Sequence, residues 1–206
     1  MSGVNSNEEA FIRRTPPART RSPFTLPARW LLLFTLLWVL LAGLKLYGQE
    51  PRPTEYDVKA AYLYNFGRFV AWPGVGDGFT ICVLGQDPFG SALDATLAGQ
   101  TIKNKRVVAK RIATSQDSAD CQILFISSGE DGRLAEIIGA LDKKPILTVS
   151  DMPQFSDRGG MIQFISEGKR IRFEVNLTAA QNAGLTLSSD LLKVATAVKR
   201  NRSPGD

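Results

Sequence analysis

Three short loops gather the small polar and acidic side chains that could do chemistry: Gly85-Gln86-Asp87, Ser127-Ser128-Gly129 and Ser150-Asp151. Each follows an apolar run, and in an open α/β sheet ligands bind beyond the carboxyl ends of the strands. Two of the loops open helices, whose free N–H groups suit an anion or a small polar molecule. Gln86, Asp87, Ser127, Ser128 and Asp151 are therefore candidate residues for a small-ligand mouth. The competing reading is that Ser and Asp in such loops are ordinary helix caps. Asp87 and Asp151 could also be imagined as an acid–base pair of carboxylates, but no spacing ties them together.

The remaining inventory narrows the chemistry. The chain has no histidine, which removes the usual general base, the commonest metal ligand and every Ser-His or Cys-His arrangement. With only two cysteines, Cys82 and Cys121, a structural zinc site is not expected. No catalytic residue, metal or cofactor is assigned. A hydrolase would have to work from Ser, Asp or Lys alone.

The N-terminus supplies the next constraint. Trp30 to Leu44 is a run of fifteen uncharged residues preceded by Arg13, Arg14, Arg19, Arg21 and Arg29. A basic segment followed by an apolar core is the arrangement of a secretory leader. At about 1.5 Å per residue it covers roughly 22 Å, short of a hydrocarbon core about 30 Å thick, which favours a removable leader over a permanent span. An uncleaved anchor, with Lys45 snorkelling, is the alternative. Either way residues after about 49 are expected outside the cytoplasm. In an oxidising compartment Cys82 and Cys121 could be bridged, or both could be buried thiols in strands. Residues 49–206 carry 19 basic and 18 acidic side chains, so the basic pI of 9.4 stems mainly from the leader. No nucleic-acid partner is expected for so balanced a body.

The organisation expected is a tail and leader over 1–48, a Pro-rich linker over 49–55, one domain over 56–200 and a short tail over 201–206. Thr54 offers an N-cap with Asp57 three residues on, opening a helix from Tyr56 to about Ala71 with apolar residues at 58, 62, 66, 69 and 70. Phe79–Leu84, Arg106–Ile112, Ile123–Ile126 and Pro145–Val149 read as strands. Between them, Asp87 and Pro88 predict a helix to Leu97, and Ser127 to Glu130 predicts a capping box opening a helix to Leu141. This alternation is the signature of a mostly parallel sheet flanked by helices, a Rossmann-like three-layer α/β arrangement. Met161–Ile165 and Arg170–Val175 then form a C-terminal β-hairpin. Asn176 caps a brief helix, and Ser188 or Ser189 a last one carrying Leu191, Leu192, Ala195 and Val198. Gly159-Gly160 ahead of the hairpin predicts a bulge or a positive φ. Among the aromatics of the first helix, Tyr64 falls away from the apolar stripe, as a partner-facing residue would.

These segments also carry a resemblance. YDVKAAYLYNFGRFVAWP (Tyr56–Pro73), ICVLGQDPFG (Ile81–Gly90), DCQILFISS (Asp120–Ser128), ILTVSD (Ile146–Asp151), RGGMIQF (Arg158–Phe164) and RIRFEVNLTAAQNAGLTLSSDLLKVA (Arg170–Ala195) resemble the YfiR-like family, DUF4154, in order and spacing. The resemblance implies a periplasmic α/β domain that represses an inner-membrane diguanylate cyclase through its periplasmic region, and so controls cyclic di-GMP. It implies release of that repression by an outer-membrane lipoprotein, and a sensor kinase or receptor as another kind of partner. A homodimer is a further expectation. Cys82 and Cys121 match family positions, whereas a second cysteine pair carried by some members is absent. Partner contacts are expected at Tyr64 and Arg68 on the first helix and at Arg170 and Arg172 on the hairpin. A small-solute-binding module, with the three loops as its mouth, is the second functional expectation.

Overall fold

The computed structural model describes Trp38 and residues 53–200, apart from positions 75, 77 and 169, so the leader, Trp38 excepted, and both tails lie outside the described residues. The folded body is the unit Arg52–Asp206. Among the described residues no helix is long and apolar enough to cross a membrane.

The first helix, α1 (Glu55–Phe69), starts where its capping box dictates. The Asp57 backbone N–H donates to Thr54 Oγ1 at 3.2 Å, and the Thr54 N–H donates to Asp57 Oδ2 at 2.6 Å. Its buried stripe is Lys59, Ala60, Leu63, Phe66 and Gly67, turned from the expected one, so that Val58 and Tyr62 are half-buried and Phe69 is exposed. The helix stops earlier than expected because Val70–Ala71 (β1) switches to extended backbone. It pairs antiparallel with Thr186–Leu187 (β9) in a two-stranded ribbon.

The main sheet has eight strands in the order β10-β8-β7-β6-β5-β2-β4-β3. Its centre is β2 (Phe79–Leu84), β4 (Lys105–Ile112), β5 (Ile123–Ile126) and β6 (Leu147–Ser150), all parallel. β7 (Ile162–Glu167) joins β6 in parallel, then turns back antiparallel into β8 (Arg170–Asn176), the expected hairpin. β3 (Thr101–Ile102) folds back on the start of β4. The helices are α2 (Ser91–Leu97), α3 (Leu134–Ala140), α4 (Leu177–Asn182) and α5 (Ser189–Val194). The three-layer expectation holds.

Strand periodicity divides the core. Ile81, Val83, Ile123, Phe125, Leu147 and Val149 face α1 and α2, joined by Leu63 and Phe66. Cys82, Leu84, Leu124 and Ile126 face the other way, onto Leu134, Ile137 and Phe155. Burial of a side chain such as Leu63 or Phe66 stabilises the fold by about 1.5–3 kcal/mol. Cys82 and Cys121 are bridged across the second face, with Cα atoms 5.8 Å apart. Their separation of 39 residues corresponds, in the chain-entropy picture, to about 4 kcal/mol of stabilisation.

Several local expectations yield to tertiary packing. Asp87 does not cap α2; that position belongs to Gly90, and Asp87 Oδ1 instead accepts from the Phe89 N–H at 2.8 Å. Phe89 is drawn inward against Phe125 and Tyr56, with centroids 4.8 and 5.4 Å away, so residues 87–90 form a turn rather than a first helical turn. Ser127 makes no side-chain cap either. Ser128–Arg133 is a 3-10 segment ahead of α3, and Glu130 turns to Arg133. Val198 leaves the last helix for β10 (Ala197–Lys199), which adds in parallel to β8.

Candidate functional site

The most unusual site was not foreseen. Lys59 lies on the buried face of α1, only 2% exposed, one helical turn before Leu63. Its Nζ sits 2.6 Å from Glu55 Oε1 and 2.6 Å from Asp151 Oδ2. It also lies 4.4 Å from the Tyr56 ring centroid and 5.9 Å from that of Phe164. Tyr56 Oη donates to the same Asp151 oxygen at 3.0 Å, and Ser166 Oγ donates to Glu55 Oε1 at 2.9 Å. One carboxylate, just past the end of β6, thus ties α1 to the sheet centre.

The electrostatics keep the lysine charged. Burial pulls its pKa down, but hydrogen bonds to Asp151 and Glu55 outweigh that and leave it above the ordinary lysine value. The hydrogen bond from Lys59 holds the Glu55 carboxyl below its usual range, and burial, with Asp151 beside it, pushes the Tyr56 hydroxyl up. A lysine held as an ammonium is neither a nucleophile nor a base. This arrangement locks α1 in place. Lys59 was legible as a charge one turn from Leu63, but its partner 92 residues away was not.

Asp87, Ser127 and Ser150 are also engaged within the protein. Asp87 Oδ2 accepts from Arg111 Nε at 2.9 Å, while the same guanidinium reaches Asp94 at 2.7 Å and the Gly90 carbonyl at 2.8 Å. Gly85 has φ +86°, and a Cβ there would stand 2.6 Å from Glu130 Oε1, so the Glu130 side chain covers the end of β2. Ser127 is buried with its N–H on the Leu84 carbonyl at 3.0 Å. Ser150 Oγ donates to the Ile126 carbonyl at 2.7 Å. Gln86 and Ser128 are exposed. Asp87 and Asp151 each face their own cation instead of forming a carboxylate pair. Gly159 takes the expected positive φ, +97°, and a side chain on Gly160 would collide with the Phe155 ring. Among the described residues no cluster of three or more acidic or cysteine side chains is placed to hold a metal ion.

The candidate partner-facing residues do not form one surface. Tyr64 is half-buried, with its hydroxyl donating to the Thr101 carbonyl at 3.3 Å. Arg68 is exposed on the rim of a groove of about 340 Å³ between α1, β8 and α5. Tyr62, Phe66, Phe173 and Leu191 line it, and Phe69 and Val194 open it to solvent at 39% and 63% exposure. Arg170 and Arg172 are exposed too, but they alternate along β8 with Ile171 and Phe173, which face α1. Strand alternation therefore sends the two arginines to the opposite face of the sheet from Arg68.

Comparison with solved structures bears on the fold alone. A conserved domain protein from Vibrio cholerae is similar at 13% identity and TM-score 0.52, over 71% of this chain and 60% of that one. The chain thus spans less than two thirds of that protein. An ABC domain from Streptococcus pneumonia, solved in complex with L-Trp, aligns at 14% identity and TM-score 0.41 over 59% of this chain and 55% of its own, too loosely to compare folds. Sequence is more specific: residues 56–196, nearly all of the α/β body, match the model of one family. The chain belongs to the YfiR/HmsC-like family, DUF4154.

Proposed function

We propose that this protein is a periplasmic regulatory binding protein that represses or modulates an inner-membrane signalling protein, a diguanylate cyclase first of all. The match to a regulatory family across residues 56–196 carries the reading. Two features of the fold support it. The carboxylates past the ends of the central strands, Asp151 and Asp87, are engaged by Lys59 and Arg111, while the apolar groove beside Arg68 lies open to solvent. Regulation then works by linkage: a domain that binds one state of its target more tightly than the other shifts the population by that difference in affinity. Arg68 is proposed as a contact on one face of the sheet and Arg170 and Arg172 as contacts on the other, and an outer-membrane lipoprotein that sequesters the domain would lift the repression. The solute-binding alternative has less to rest on, since Asp87 and Asp151 already spend their hydrogen bonds internally.

Pull-down with the tagged full chain from solubilised membranes, paired with cyclic di-GMP measurement in a deletion strain, tests this reading. Capture of a membrane cyclase and a raised second-messenger level are expected. Absence of any captured membrane signalling protein, together with unchanged signalling, would overturn it.

A further inference from the structure

The β4 side of the sheet is open along most of its length. β4 pairs with β2 from Val107 to Ile112, but on its other side β3 reaches only Lys105 and Arg106. The Gly85 N–H donates to the Ile112 carbonyl at 3.3 Å, so the Ile112 backbone points toward β2. In a parallel ladder that direction alternates, which turns Lys110 and Val108 toward β2 and Val107, Ala109 and Arg111 outward. The Val107 N–H, donating to the Gln100 carbonyl at 3.1 Å, confirms the phase. Beyond it, the outward backbone groups of Ala109 and Arg111 meet no other backbone among the described residues. Two donor–acceptor sets about 6.6 Å apart therefore face solvent.

The side chains on one face of this edge form a pattern. Val108 is 44% exposed and is flanked by Arg106 and Lys110, both exposed. Neither cation forms an ion pair with a carboxylate among the described residues; Lys110 Nζ donates only to the Asp117 carbonyl, at 3.3 Å. A shallow groove of about 250 Å³ runs beside Val107, Val108 and Ala109, with Leu97, Ala98, Gly99 and the Arg111-paired Asp94 lining its other side. Charges on an edge discourage pairing with a second copy of the same strand. In a symmetric antiparallel pair centred on Val108, Arg106 would face Lys110 of the second copy, like charge on like charge. The same charges favour a strand of opposite sign.

From this we infer that the free edge of β4, Val107 to Arg111, is a strand-addition site for an extended segment of another protein. That segment carries an apolar residue opposite Val108 and an acidic residue two places to either side, facing Arg106 and Lys110. Main-chain hydrogen bonds to Ala109 and Arg111 supply affinity, and the alternating side chains supply selection. The motif acidic-x-apolar-x-acidic reads the same in both directions, so either strand orientation satisfies it. The site lies across the sheet from β8 and is separate from the function proposed above.

The probe is a fluorescein-labelled peptide, Ser-Glu-Thr-Val-Thr-Glu-Ser, titrated into the full chain and followed by anisotropy, with a Lys-for-Glu peptide as control. The acidic peptide is expected to bind at least about tenfold more tightly than the control, with the difference shrinking at high salt. Ala109→Pro removes only a solvent-facing N–H, which an edge strand tolerates, and it should abolish binding while leaving the fold intact. Arg106→Glu with Lys110→Glu should reverse the preference toward the Lys peptide, a gain that misfolding cannot produce. Equal binding of both peptides, or binding unaffected by Ala109→Pro, would overturn the inference. So would a dimer of the free chain that Ala109→Pro dissociates, since the edge would then belong to a second copy. Failure here leaves the pull-down result, and the reading it tests, untouched.

Discussion

Lys59 and Arg111 make the same kind of contact, one cation between two carboxylates, in opposite surroundings. Lys59 is 2% exposed, its two ion pairs are each 2.6 Å, and its ammonium lies against the Tyr56 and Phe164 rings. Arg111 is 33% exposed and meets Asp87 and Asp94 at 2.9 and 2.7 Å across the mouth of a surface turn. Distance does not separate them; solvent does. Water screens the arginine's pairs and would solvate its partners if they parted, so they contribute little. The lysine has no such refuge, and removing Asp151 leaves its buried ammonium with only the half-exposed Glu55 as a partner. The first site is structural in consequence, whereas the second trims a loop.

The contrast is sharpest if the buried pair is broken. Asp151→Ala should destabilise the fold by about 3–5 kcal/mol in urea titrations, because it leaves the Lys59 ammonium without its inner partner. Adding Lys59→Met should recover most of that loss, since an apolar side chain of similar length fills the space without a charge. Failure to recover would mean that the network, and not the stranded ammonium, holds α1. Alkaline pH should then separate the two sites. The pKa of Lys59 is raised on folding, so its contribution is complete below about pH 10.4 and is lost as pH climbs through the higher folded value. Arg111 keeps its charge throughout that window. Stability measured from neutral to strongly alkaline pH should therefore fall further for the native chain than for the variant with Lys59→Met and Asp151→Ala. Glu55, held low by Lys59, runs oppositely: its contribution is present above about pH 4.3 and fades in acid. Smallest of all, Arg111→Ala should cost about 1 kcal/mol or less, and a loss comparable with that of Asp151→Ala would erase the distinction.

Some elements were legible because their causes are local. The runs Phe79–Leu84 and Ile123–Ile126 are strands end to end, and Thr54 with Asp57 starts α1 as a capping box should. Asn176 caps α4, its side chain accepting from the Ala179 N–H at 3.0 Å. Asp87 and Ser127 carried the same capping signals and failed, for physical reasons. Phe89 gains more by packing against Phe125 and Tyr56 than Asp87 gains by capping, and Glu130 reaches Gly85 and Arg133 in place of the Ser127 backbone. Val198 looked helical in spacing, yet the free edge of β8 offered it a ladder. Lys199 then binds that strand in place, with Nζ 2.6 Å from Asp157 and 3.1 Å from Glu174.

The sequence alone determined the α/β alternation, the parallel core, the hairpin and the family, since apolar period, caps and motif order are properties of short segments in series. Tertiary structure decided which charges meet. Lys59 and Asp151 are 92 residues apart, Arg111 and Asp87 are 24 apart, and only the stacking of α1 on the end of β6 or of β4 beside β2 brings them together. It also closed the bridge between Cys82 and Cys121, and it left one edge of β4 without a neighbour. Such pairings depend on how elements pack and on what water can reach, and neither quantity is written in the order of residues along a segment.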